Sequence, residues 1–191
     1  MVVEVDVYLD TNILISFFHG RDVFHKPAAA LIGQPSISFV TGLITLLEFE
    51  AVIGRLWTNK QLSVEKTVED LIKNLPLPYQ IKAIVDFCFM KVPVRIIPEM
   101  ALEAFDFNGD RYTVDNTFNL AFKICPEFRL KTLDTIHVAS AMKIKNYRGI
   151  NIQYLVTTDD LLLNEARGIH ALSNILPISS SDLCKLHKIA F

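Results

Sequence analysis

Apolar and polar residues follow two different periods along this chain, and the switches between them mark its elements. Residues 3–9 (VEVDVYL) alternate one by one, the period of a half-buried strand, and SISFV at 36–40 is a second β-rich run. Residues 42–56 (GLITLLEFEAVIGRL) change to helical spacing and length. VEKTVEDLIKNL (64–75) and YQIKAIVDFCFM (79–90) predict two amphipathic helices, parted by the break at Pro76–Pro78. A short strand is expected at 92–98, helices at 99–107 and 112–125 around an Asn108–Gly109 turn, and a long helix at 132–145 (TLDTIHVASAMKIK). IQYLVTT (152–158) predicts a strand, 159–167 a short helix stopped by Gly168, and the tail a Ser-rich turn followed by a short helix.

Strands separated by helices imply an α/β fold, a mostly parallel central sheet with helices on both faces. The chain reads as one domain over residues 1–191, with a helix-rich elaboration around 58–130. No internal repeat and no low-complexity segment interrupts it.

Composition narrows the function classes. With 51% hydrophobic residues and a mean hydropathy of +0.32, the chain has ample material for a core. Thirteen Phe hint at a buried oligomer or partner surface as well. The net charge of −2 supplies no global attraction for a polyanion, so nucleic-acid binding needs a local basic patch or bound cations. The N-terminus lacks a basic leader and an apolar signal core, and PSISFVTGLITLL (35–47) is too short to span a bilayer. A cytoplasmic location without membrane contact is the expectation. Three widely spaced cysteines, Cys88, Cys125 and Cys184, read as reduced, buried thiols.

Candidate chemistry lies in four carboxylates. Asp10 ends the first strand and Asp159 follows the strand YLVTT; both occupy strand-to-helix junctions, which in a parallel sheet face the same edge. Asp134 stands in the first turn of its helix, and Glu48 interrupts an apolar helix where an acid on the core side needs compensation. Each also has a structural reading: the three aspartates as helix caps or dipole acids, Glu48 as a solvent-facing residue like Glu50, His137 as a packed or site-edge histidine. Convergence of all four acids would demand a positive charge between them, and an all-oxygen cluster suits a hard divalent ion, Mg²⁺ or Mn²⁺. Such clusters serve metal-assisted phosphoryl-ester chemistry. On that view, an amide in place of a central acid should relieve repulsion in the metal-free chain.

The segments YLDTN, ITLLEF, LDTIHVASAM and LVTTDD, in this order, resemble the PIN-domain ribonucleases, which include the toxins of VapBC-type toxin–antitoxin pairs. The resemblance implies a PIN-like fold and an acidic metal site of Asp10, Glu48, Asp134 and Asp159, binding Mg²⁺ or Mn²⁺. Thr11 and Asn12 would shape the first motif and Thr157 would support the last, with Asp110, Asp115 and Asp160 as outer acids. The implied activity is a metal-dependent endoribonuclease leaving 5′-phosphate and 3′-hydroxyl ends. RNA is then the substrate and an antitoxin protein the partner. The high apolar fraction makes a homodimer, formed by helices outside the acidic edge, the expected assembly. Arg21, Lys26, Lys131 and Arg167 are basic candidates for RNA contact. The interval from Glu48 to Asp134 is longer than in compact family members.

Other readings remain beside it. One is a non-toxin RNA-processing nuclease of the same fold; another is a catalytically silent scaffold that binds RNA or protein. A haloacid-dehalogenase-like phosphatase is disfavoured because Asn12 stands where that chemistry needs a second acid. The scattered glycines form neither a dinucleotide fingerprint nor a P-loop.

Overall fold

The computed structural model describes residues 5–98 and 101–191. Five parallel strands form the central sheet in the order β3-β2-β1-β6-β7: β1 (Val5–Leu9), β2 (Ile37–Gly42), β3 (Val94–Ile97), β6 (Ile152–Val156) and β7 (Leu176–Ile178). The chain builds outward from β1 through β2 to β3, then returns to the other side of β1 with β6 and β7. The order therefore reverses between β1 and β6, and open α/β sheets form ligand crevices outside the carboxyl ends of their strands at such a point. The α/β class and the parallel sheet expected from the sequence are both present.

Alternation along β1 divides the core. Val7 and Leu9 join Phe39, Ile13, Leu31 and Phe49 on one face, while Tyr8 on the other joins Val40, Leu155, Ile136 and Ile144. Helices α1 (Thr11–Phe18), α2 (His25–Ile32), α3 (Leu43–Thr58), α4 (Lys66–Ile72) and α5 (Leu77–Lys91) supply the first side. There Phe49 sits edge-on to Phe18 and Phe89, with ring centroids 6.0 and 5.3 Å away. The second side is dominated by α7 (Thr132–Arg148), with α6 (Asn116–Ile124), α8 (Asp160–Asn164) and α9 (Ala166–Ser173). Gly42, between β2 and α3, leaves room for α7: a Cβ there would overlap Ser140 Oγ. The helix that carries Glu48 is thus set close to the one that carries Asp134.

Four expectations need correction. Residues 102–115 are not helical. They form an antiparallel hairpin, β4 (Leu102–Phe107) and β5 (Asp110–Asp115), and the helix expected from 112 begins only at Asn116. Asn108 (φ 52°) and Gly109 (φ 87°) make the left-handed two-residue turn whose twist matches paired strands. Residues 99 and 100, also assigned to that helix, lie outside the described residues. Gly168 does not stop a helix: α9 runs through it, and a Cβ there would stand 3.0 Å from Phe128 Cε1, so the glycine serves close packing. The tail contains the edge strand β7 before its helix α10 (Ser180–Leu186). Cys88 and Cys184 are buried, with the Cys88 thiol pushed up to about 12 by desolvation, but Cys125 is exposed. Among the described residues, no helix is long and apolar enough to cross a membrane.

Candidate active site

Asp10 is the first residue past β1, and its backbone N–H still donates to Val156 on β6 at 3.0 Å. Its carboxylate caps α1: Oδ1 accepts from the Thr11 N–H at 2.6 Å. The other oxygen accepts from Asn12 Nδ2 at 2.8 Å and from Thr157 Oγ1 at 2.6 Å. Asn12 also reaches Thr157 Oγ1 (3.0 Å) and accepts from the Thr158 N–H (3.1 Å), tying the end of β1 to the end of β6. The capping reading of Asp10 is therefore right as far as it goes, but a cap does not require the buried lattice that fixes its second oxygen.

The other acids arrive from separate elements. Glu48 projects from α3, Asp134 from the first turn of α7, and Asp159 caps α8 with Oδ1 accepting from the Leu161 N–H at 2.7 Å. All four line one open hollow of about 570 Å³, together with Thr11, Asn12 and Lys131. Thr157 braces Asp10 from below. Glu50 is exposed. Of the outer acids, Asp160 is exposed beyond Asp159, Asp110 sits on the hairpin, and Asp115 caps α6 and pairs with the buried Lys143 at 3.4 Å; none lines the hollow. Asp22, in the turn after α1, does line it and was not foreseen, because no periodicity marks a loop residue.

His137 is the floor of the site. It is 1% exposed, with Nε2 at 2.9 Å from Glu48 Oε2 and 3.5 Å from Asp10 Oδ1. Its Nδ1 lies 3.2 Å from the Tyr8 hydroxyl, which with Thr45 belongs to a buried polar chain ending at the Leu9 carbonyl through Thr41. Burial opposes a charge on this ring, but Tyr8, Asp10 and Glu48 outweigh it and push the pKa up to about 10. As an imidazolium it donates from both nitrogens, to Glu48 and to Tyr8. The same hydrogen bond holds the Glu48 carboxyl below its ordinary range, against the effect of its partial burial.

Asp134 has no such partner. Its Oδ2 is buried without a hydrogen bond, and its pKa is raised by burial and then by the charges of Asp159 and Asp10. A desolvated carboxylate oxygen left unpaired beside two like charges is costly unless a cation joins it. Among the described residues the one ammonium lining the hollow, Lys131, is at 3.2 Å from Asp159 and exposed. Asp10 and Glu48 each offer one carboxylate oxygen, within 4.8 Å of each other and of a ring nitrogen of His137, which as an imidazolium is a donor and not a ligand. Hard oxygen donors around an unpaired acid fit a divalent ion of the Mg²⁺ type.

The model of the PIN-domain family matches residues 7–85. Over those residues the chain resembles a PIN domain, as its sequence motifs led one to expect. The matched segment holds Asp10 and Glu48, whereas Asp134 and Asp159 lie beyond it. Similar solved structures include VapBC2 from Rickettsia felis bound to a promoter DNA fragment: 12% identity, 92% of this chain and 98% of that chain covered, TM-score 0.50. Another is VapC20 of Mycobacterium tuberculosis, a toxin described as cleaving the sarcin–ricin loop, at 15% identity over 81% of this chain and 90% of that one, TM-score 0.48. No curated protein matches the chain. At 12% identity the likeness to VapBC2 is one of fold, and it agrees with the parallel sheet and flanking helices described above.

Proposed function

We propose that this PIN-like domain is a divalent-metal-dependent endoribonuclease that hydrolyses RNA phosphodiesters. The observation that carries the reading is Asp134 Oδ2, a buried carboxylate oxygen without a partner in a hollow lined by three more of the expected acids. Asp10, Glu48, Asp134 and Asp159 would hold Mg²⁺ or Mn²⁺; when bound, such an ion supplies Lewis acidity toward water and the phosphoryl oxygens. The chain's own groups do the positioning. Asn12 and Thr157 lock the Asp10 carboxylate, and His137 fixes Glu48 and offsets part of the negative charge. Lys131 shields Asp159 at the rim, where an incoming phosphate also needs a cation.

Labelled RNA incubated with the purified protein and Mn²⁺ or Mg²⁺ should be cut, and a chelator should stop the cutting. Intact RNA under all metal conditions, alongside unchanged RNA binding, would favour the silent scaffold instead. The paired glutamates give a sharper check. Glu48→Gln should lower the rate by about tenfold to a hundredfold, the usual cost of disturbing the groups around a metal, while exposed Glu50→Gln leaves it unchanged. Equal rates for the two variants would remove Glu48 from the site.

The toxin role with an antitoxin partner belongs to the same proposal, in keeping with the VapBC2 assembly among the similar folds. A cytoplasmic homodimer does too. Leu43 and Leu47 of α3 and Phe118 of α6 are exposed around a mostly apolar hollow that shares no lining residue with the acidic one. Sedimentation at micromolar concentration should give about twice the 21.6 kDa chain mass; a monomer alone would rule the dimer out.

A further inference from the structure

Beyond the acidic hollow, α1 and α3 run on to a second one with lining residues of its own. This second hollow of about 590 Å³ lies between the same two helices. Ile15 and Ser16 of α1 face the acidic hollow and Phe18, at the end of that helix, faces the second. On α3 the wall passes from Glu48 and Val52 in the first to Leu56 in the second, in steps of four residues along one helix face. That face covers about 12 Å at 1.5 Å per residue. The turn after α1 joins them again, with Asp22 on the acidic side and Arg21 on the other.

Charge reverses along this path. Carboxylates crowd one end, Val52, Leu56 and Phe18 line the middle, and Arg21 and Lys60 stand at the far end. Lys131 at the acidic end is engaged by Asp159, but Arg21 and Lys60 make no ion pair among the described residues. A strand whose scissile phosphate lies at the acids has to leave the pocket, and this is an exit that offers cations for the next phosphates over an apolar floor for sugar and base.

We infer that the hollow of Phe18, Arg21, Leu56 and Lys60 is a subsite for the single-stranded RNA flanking the scissile bond, with Arg21 and Lys60 taking backbone phosphates. This rests on the nuclease reading for its substrate, but its binding step does not need cleavage.

Lys60 allows a clean test. It follows α3 with φ 55°, in a terminal turn closed by Gln61 N–H to Leu56 O (2.8 Å) and Lys60 N–H to Trp57 O (3.0 Å). Glycine is the favoured residue in that left-handed position, so Lys60→Gly removes the ammonium without straining the backbone. Lys188 (φ 57°) ends α10 in the same way, is exposed, and lines neither hollow, so Lys188→Gly is a control matched in charge and conformation.

The probe is a fluorescein-labelled single-stranded RNA of about twelve nucleotides, bound by the full chain in chelator over a range of salt. Arg21→Ser with Lys60→Gly should weaken binding and lower the slope of log K against log salt by about 0.7 per charge removed, while Lys188→Gly changes neither. With Mn²⁺ present, the double variant should raise KM for the same RNA, while Lys188→Gly leaves KM at the wild-type value. Equal affinities and slopes for the double variant and the Lys188→Gly control would overturn the subsite, as would failure of the wild type to bind the RNA. Binding that depends on Arg21 and Lys60 without any cleavage would keep the subsite and overturn the nuclease reading.

Discussion

Asp10→Asn should lower RNA cleavage by roughly two to three orders of magnitude, the rate equivalent of losing several kcal/mol of metal-supplied stabilisation. The geometry says why so small a change is severe. One carboxylate oxygen accepts from Thr11 N–H and lies 3.5 Å from His137 Nε2, and the other accepts from Asn12 and Thr157. An amide must turn its NH₂ toward one of these groups of donors. The variant therefore loses a formal charge at the site and also disturbs the tie between β1 and β6. Asp134→Asn separates the two effects, because its buried Oδ2 has no hydrogen bond to lose. A comparable fall in single-turnover rate is expected there with the scaffold intact. If Asp134→Asn cuts RNA as fast as the wild type, Asp134 is not part of the reacting centre, whatever Asp10→Asn does.

What the sequence could disclose follows the range of the interactions involved. β1 and the junction at Asp10 are legible because alternation and a capping triplet are local signals, and the same holds for Asp159 after β6. Glu48 could be distinguished from Glu50 only by the apolar helix around it, and the side it faces depends on α3 packing close to α7 at Gly42 and Ser140. The hairpin was legible and misread. LEAFDF and DRYTVD alternate around Asn108–Gly109, the strongest short-range hairpin signal, but their apolar residues also fit a helical window. β7 is three residues long with a proline inside, too short to show a period; the Tyr154–Leu176 and Val156–Ile178 pairings with β6 define it. His137 lay in a recognised segment, yet its contacts with Tyr8, Glu48 and Asp10 join three elements distant in sequence. Asp22 gave no signal at all.

In thermal melts with chelator, Asp10→Asn and Asp134→Asn should move in opposite directions, where repulsion alone would have any central amide stabilise the chain. Asp10 is 5% exposed and its lattice is satisfied, so a mismatched amide leaves a buried donor unpaired at a cost of about 1–3 kcal/mol. For a chain of this size that lowers Tm by roughly 2–4 °C per kcal/mol. Asp134 is the reverse case. Burial and the charges of Asp159 and Asp10 disfavour its ionised form, so Asn removes a liability. Lys131 and His137 already offset part of that liability and solvent screens the half-buried group, which keeps the gain to a few tenths of a kcal/mol, or about 1–2 °C. Mn²⁺ should then reorder the series. Free metal at about 100 times its Kd adds about 2.7 kcal/mol to the wild type, or roughly 5–10 °C, by binding only the folded chain. Asp134→Asn, the most stable form in chelator, should gain least, because the unpaired oxygen that made the site unstable is the one awaiting the cation. A wild type whose Tm ignores Mn²⁺, with Asp134→Asn melting below it, would make Asp134 a structural acid at the start of α7 and leave the metal site without its central ligand.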